Sequence, residues 1–208
     1  MMARMMARMM VGCDDLKDRA SVAHQLLVVS GHPGSGKTTV ARQLALGWPL
    51  VSRDDFKELL FDSLGITDRA WSQKLGGVSY DLMGHTLGLL METGAGVVAE
   101  TNFSAKTAEF LGALAHRMDY GVLEVCCAAP TSELVARFRR RAQEGERHAG
   151  HRDADNPSEQ AARVAVPYPP MGMGPVLRLD TAERPEEVLR RAREWVAAQL
   201  GGTATRVP

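Results

Sequence analysis

The chain has 208 residues, 45% of them hydrophobic and 5% aromatic, and its 25 Lys plus Arg balance 25 Asp plus Glu. That length fits one domain of ordinary size with room for a small lid, and aliphatic side chains must supply most of the core. Zero net charge excludes a global attraction to nucleic acid or anionic membrane, leaving only local patches, and no stretch approaches the ~18 uninterrupted apolar residues of a membrane span.

Residues 1–24 read as an N-terminal leader that begins with the four-residue repeat MMARMMARMM. Arg4 and Arg8 interrupt it, so it lacks the continuous apolar segment of a signal peptide. The three cysteines, Cys13, Cys126 and Cys127, are odd in number and two are adjacent. They make no disulfide framework, and a reducing cytoplasm fits them better. From residue 25 to 208 the pattern alternates strand and helix. Leu26 to Ser30 is a short apolar run that reads as a buried strand, followed by a Gly-rich turn and a helix from Lys37 to Gly47. Leu50 to Ser52 is a second strand and Asp55 to Leu64 a helix. Thr67 to Met91 reads as two helices broken near Gly76-Gly77, because glycine disfavours a helix interior. Gly96 to Ala99 is the third strand. Ser104 is placed to cap a helix running to Met118. Gly121 to Cys127 is a strand, Thr131 to Gln143 a helix, and Glu144 to Pro157 a polar loop. Arg163 to Gly174 is an irregular connection, Val176 to Asp180 the last strand, and Pro185 to Leu200 the last helix. Such alternation implies an α/β three-layer sandwich: a parallel sheet of about five strands with helices on both faces.

Gly31-His32-Pro33-Gly34-Ser35-Gly36-Lys37-Thr38 matches the P-loop pattern G-x-x-x-x-G-K-[ST] in full. Its glycines let consecutive backbone N–H groups turn inward around an anion, and the helix that follows adds its positive N-terminal end. Lys37 can reach the β- and γ-phosphates, the Thr38 hydroxyl can ligate Mg²⁺, and Thr39 continues the cradle. The expected ligand is ATP, or GTP, with Mg²⁺. The next segment, Ser52-Arg53-Asp54-Asp55-Phe56-Lys57, follows the second strand directly. In a parallel sheet the carboxyl ends of the strands line the ligand crevice. Asp54 is therefore expected near the γ-phosphate, where a carboxylate can accept the proton of an attacking hydroxyl. Asp55 lies at a helix start, where a carboxylate is often only a cap.

The P-loop, Ser-Arg-Asp-Asp-Phe-Lys and Val98-Ala99-Glu100-Thr101-Asn102-Phe103 together resemble the kinase domain of 5′-hydroxyl polynucleotide kinases. They are similar as well to zeta-toxin-type and chloramphenicol-phosphotransferase-type small-molecule kinases. The resemblance runs from about Leu26 to about Arg141. It implies Asp54 as general base and Lys57 as the contact to the acceptor or its phosphate, at a position where the group more often has Arg. Glu100 stands where the group usually has Asp. A carboxylate there can hold Mg²⁺ through water or orient the acceptor. Asn102 is a candidate hydrogen-bond partner of the acceptor, or a turn residue before the next helix.

Arg137, Arg139, Arg140, Arg141, Arg147 and Arg152 crowd the segment that also carries His148 and His151. Arg137 and Arg141 share a helix face. The resemblance implies that Arg137 packs on the nucleotide base and that Arg141 contacts the transferring phosphate, while Arg139 reads as part of a solvated face. A lid over about 137–160 is expected, with the small residues around Gly150 allowing closure. His148 and His151 lack a nearby Cys and make poor metal ligands.

The expected function is phosphotransfer from ATP to a hydroxyl of a small molecule. The alternatives are a 5′-hydroxyl polynucleotide or nucleoside kinase and, in another class, a nucleotide-driven switch. Neutral charge and few aromatics disfavour nucleic acid, and the Asn-Lys-x-Asp segment of a switch GTPase is absent. The acceptor is expected to meet Thr67 to Met91, with Trp71, Tyr80, Asp81 and His85 as candidates. Oligomeric state is not legible.

Overall fold

A computed structural model describes residues 24–202 except 46, 103, 145–147, 152–161, 163, 167 and 168. Residues 1–23, which include Cys13, and Leu46, Phe103, Arg147 and Arg152 lie outside the described residues.

Five strands form one parallel sheet: β1 (Gln25–Gly31), β2 (Leu50–Ser52), β3 (Val97–Thr101), β4 (Gly121–Ala128) and β5 (Val176–Asp180). Their order is β2-β3-β1-β4-β5, with β1 central and paired to β3 and β4. The helices are α1 (Lys37–Leu44), α2 (Arg53–Leu64), α3 (Arg69–Met91), α4 (Ala105–Arg117), α5 (Thr131–Glu144) and α6 (Pro185–Gly202), with a short 3₁₀ turn at Ala149–His151. Because side chains alternate across a strand, β1 feeds two cores. Leu26 and Val28 pack with Met83, Leu87 and Leu111 from α3 and α4. Leu27 and Val29 pack with Val40, Leu44, Val188 and Val196 from α1 and α6. Near-continuous apolar strands follow from burial on both faces, and this is the three-layer sandwich expected.

Four local expectations are corrected. Residues 69–91 form one helix, unbroken at Gly76-Gly77, because Gly76 is buried against α2 and its missing side chain serves packing. The helix after the P-loop stops at Leu44 rather than Gly47, and Gly47 turns the chain at φ 83°. α2 begins at Arg53 rather than Asp55, so Asp54 joins Asp55 in its first turn. Ser104 caps α4, its side chain accepting from the Thr107 N–H at 3.1 Å. The third strand extends to Thr101, so Glu100 is inside it.

Candidate active site

β1 ends at Gly31 and α1 starts at Lys37, so residues 32–36 form the turn between them. Gly34 and Gly36 adopt φ of 82° and 76°, a region that L side chains reach only with strain. Gly36 is the N-cap of α1. The buried Ser35 hydroxyl has no hydrogen-bond partner, an orphan of the sort a ligand-binding cradle leaves. His32 Nε2 lies 2.8 Å from the Val166 carbonyl, and Pro33 is half-buried beside it in the turn. Thr39 is on the exposed side of α1.

Register puts Ser52, the last residue of β2, beside Glu100 on β3. The Glu100 carboxylate is 1% exposed and gathers three elements. It accepts from Ser52 Oγ at 2.5 Å and Thr38 Oγ1 at 3.3 Å, and Lys37 Nζ stands 3.5 Å away. Burying a lone carboxylate would be costly, and the amine and two hydroxyls offset that cost. Thr38 Oγ1 and the Glu100 carboxylate beside it offer oxygen ligands, the kind a hard divalent cation takes. The residues present therefore fit Mg²⁺ as well as a phosphate chain. The sequence pattern did not single out Ser52, although its place before Arg-Asp-Asp at a strand end was a usable signal.

Asp54 and Arg53 form an ion pair at 2.9 Å with side chains 18% and 12% exposed. Arg53 Nη2 donates to the Gly76 carbonyl at 3.4 Å, and its guanidinium sits 4.8 Å from the centre of the Tyr80 ring. Its Nε is buried without a hydrogen-bond partner. Arg53 is the second site residue that sequence reasoning passed over, having weighed only the Asp beside it. Lys57 is buried, 5.3 Å from the Phe61 ring centre. Asn102 follows β3, and its Oδ1 is a third buried orphan. Of the four acceptor candidates on α3, Tyr80 reaches this group; Asp81 and His85 are exposed, and the Trp71 indole donates to the Gly65 carbonyl.

Thr38, Thr39, Ser52, Asp54 and Arg141 line one cavity of about 390 Å³. Arg137 and Arg141 come off α5, but Arg137 points elsewhere. It donates to Thr181 Oγ1 at 3.1 Å, the Thr181 carbonyl at 2.6 Å and the Gly34 carbonyl at 3.4 Å. It thus ties the P-loop to the turn after β5. Arg139 and Arg140 are exposed. The turn at 148–151 rests on α2: His151 Nε2 is 2.8 Å from Glu58, His148 Nε2 is 3.0 Å from Asp62, and His148 stacks on Phe61 at 5.5 Å. A Cβ on Gly150 would collide with the Phe61 ring. Asp54, Glu58 and Asp62 follow one another at intervals of four along α2, which puts Asp54 and the turn contacts on one stripe of the helix.

On β4, burial drives the Cys127 thiol up to about 12, and burial with the Glu124 carboxylate raises Cys126. Both are inert core residues on β4.

A family profile described as AAA domain matches residues 26–167, more than half of the chain. A "putative kinase" from Chloroflexus aurantiacus J-10-fl superposes with a TM-score of 0.74 at 31% identity, covering 85% of this chain and 98% of that one. A gluconokinase from Sinorhizobium meliloti 1021 superposes at 0.54 with 17% identity over 87% and 95% of the two chains. A sugar kinase from Janibacter sp. HTCC2649 does so at 0.51 with 18% identity over 84% and 95%. At those two identities the likeness is one of fold. No curated protein sequence matches the chain. Among the described residues no helix is long and apolar enough to cross a membrane. The family match begins in β1 and takes in the P-loop, Asp54, Glu100 and Arg141, and with it the chain belongs to the AAA domain family as a member with a P-loop kinase fold.

Proposed function

We propose that the chain transfers the γ-phosphate of ATP, or of GTP, to a hydroxyl of a small molecule. The observation that supports this best is the shared cavity of Thr38, Asp54 and Arg141. It puts a candidate base, the P-loop hydroxyl and a cation around one space. In the reaction the acceptor oxygen bonds to the γ-phosphorus, the bond to the bridging oxygen breaks, and ADP leaves. Asp54 takes the hydroxyl proton. Lys37 and Arg141 stabilise the charge that spreads over the transferring oxygens. Mg²⁺, held by Thr38 and through water by Glu100, would neutralise phosphate charge when bound. Lys57 and Asn102 serve the acceptor, and Arg137 braces the P-loop on the nucleotide side.

In this reading residues 25–208 are one kinase domain behind a leader at 1–24, with a lid over 137–160, in the cytoplasm. A small acceptor suits a chain with no net charge and few aromatics better than a polynucleotide does. The test is ADP formation against a library of hydroxylated metabolites and antibiotics, with the phosphorylated product identified by mass. Lys37→Ala should nearly abolish transfer with the acceptor so found. Undiminished transfer by that variant would remove the P-loop from the mechanism.

A further inference from the structure

We propose that Arg53 is the positioning residue of the transfer site: it fixes the Asp54 carboxylate and keeps it ionised, and α3 holds Arg53 in the pose that allows this. The inference rests on the reading of Asp54 as proton acceptor.

Neighbouring residues on a helix point about 100° apart and do not face each other. For Arg53 to reach Asp54 at 2.9 Å, its long side chain must fold back along α2. Such a pose costs side-chain entropy and needs a support. α3 supplies it twice, through the Gly76 carbonyl at 3.4 Å from Nη2 and through the Tyr80 face 4.8 Å from the guanidinium carbon. The support depends on a glycine. A Cβ on residue 76 would stand 2.9 Å from Arg53 Nη2 and 3.8 Å from Lys57 Nζ. Glycine inside a helix is disfavoured against alanine, and here it makes room for the guanidinium. A guanidinium with a purely structural task normally saturates its donors. Arg53 leaves Nε buried and unmet, so its orientation serves the carboxylate and the ring.

Charge at this point has a chemical effect. A cation in contact favours the ionised form of a carboxylate, so Arg53 extends to lower pH the range in which Asp54 can take a proton. Arg42 from α1 and Arg141 from α5 line the same cavity, together with Asp55 and Glu58 from α2 itself. Glu100 from β3 is matched by Lys37. From α3, Arg53 meets a carbonyl and a neutral ring. Arg53 stands in hydrogen-bond contact with Asp54 at 2.9 Å, and Arg42 and Arg141 still line the cavity when it is removed.

The experiment is a pH titration of the aspartate carboxyl resonances in the full chain labelled with ¹³C-aspartate. The Asp54 signal is identified by its loss in Asp54→Asn. No acceptor is required. In Arg53→Gln the Asp54 midpoint should rise by about one pH unit or more. Arg53→Lys should fall between Arg53→Gln and the native protein. Gly76→Ala, which keeps every charge and displaces only the guanidinium, should shift the midpoint the same way. It also carries the test if Arg53→Gln does not fold. An unmoved midpoint in folded Arg53→Gln, or in Gly76→Ala, overturns the proposal while leaving Asp54 as base. Unimpaired transfer by Asp54→Asn removes the base itself, whatever the titration gives.

Discussion

Asp54→Asn separates a hydroxyl kinase from a nucleotide switch, and the structure sets the size of its effects. Asparagine keeps the shape of the side chain and an oxygen for Arg53 Nη1, and it loses the basic lone pair. Without a proton acceptor, transfer should fall on the order of 10²-fold, equivalent to about 2.7 kcal/mol of barrier. The variant also leaves the Arg53 charge without its partner. That pair is 12% and 18% exposed, so the loss lies between that of a surface pair and a dry one. We expect roughly 1–2 kcal/mol, or a fall in Tm of roughly 3–6 °C for a chain of this size. ATP affinity should change little, because Thr38, Lys37 and the P-loop backbone are untouched. Asp55→Asn is the control: its side chain is exposed in the same helical turn, and it should cost only the few tenths of a kcal/mol of a charge at a helix start. Both are read by ADP formation with the acceptor, by ATP titration without it, and by thermal melting. If Asp55→Asn is the inactive one, the motif is out of register by a residue. If Asp54→Asn turns over at the native rate, the general-base reading is refuted.

Arg141→Ala should lower turnover more than ATP affinity, because a contact to developing charge strengthens in the transition state; Arg137→Ala should mainly weaken ATP binding by freeing the P-loop. The reverse pattern in steady-state kinetics and calorimetry would exchange the two roles. Cys127, raised from its ordinary value near 9 to about 12, gives a pH dependence. Between those values the unfolded chain has lost a proton that the folded chain retains, so stability should fall as pH rises, by up to about 1.4 kcal/mol per unit. Denaturant unfolding at pH 9 to 11 should show a shallower fall in Cys127→Ala, and an unchanged slope would dismiss Cys127 as its source.

Much of this molecule can be read from residues alone, for identifiable reasons. The P-loop is legible because its chemistry demands glycines at fixed spacing between a buried strand and a helix. The inner strands β1, β3 and β4 are legible because burial on both faces writes them as apolar runs. Gly76 misleads because its local preference opposes helix while its tertiary neighbour, Arg53, requires a missing side chain. Arg53 itself was hidden because its partners on α3 lie more than twenty residues away, at Gly76 and Tyr80. The strut role of Arg137 was hidden likewise, since Thr181 follows the fifth strand. Sequence spacing reports neighbours along one element and is silent about contacts between elements.

The stripe of Asp54, Glu58 and Asp62 sets how α2 can change over evolutionary time. Substitutions along it are individually repairable, since each position makes its own contact. An insertion or deletion is not. One residue gained between Asp54 and Glu58 would turn everything downstream by about 100° around the helix axis and move it about 1.5 Å along. Glu58, Phe61 and Asp62 would then leave His148 and His151, or Asp54 would leave the cavity. Relatives that keep both ends of this arrangement must therefore keep the length of the segment between them, even where little of its sequence survives.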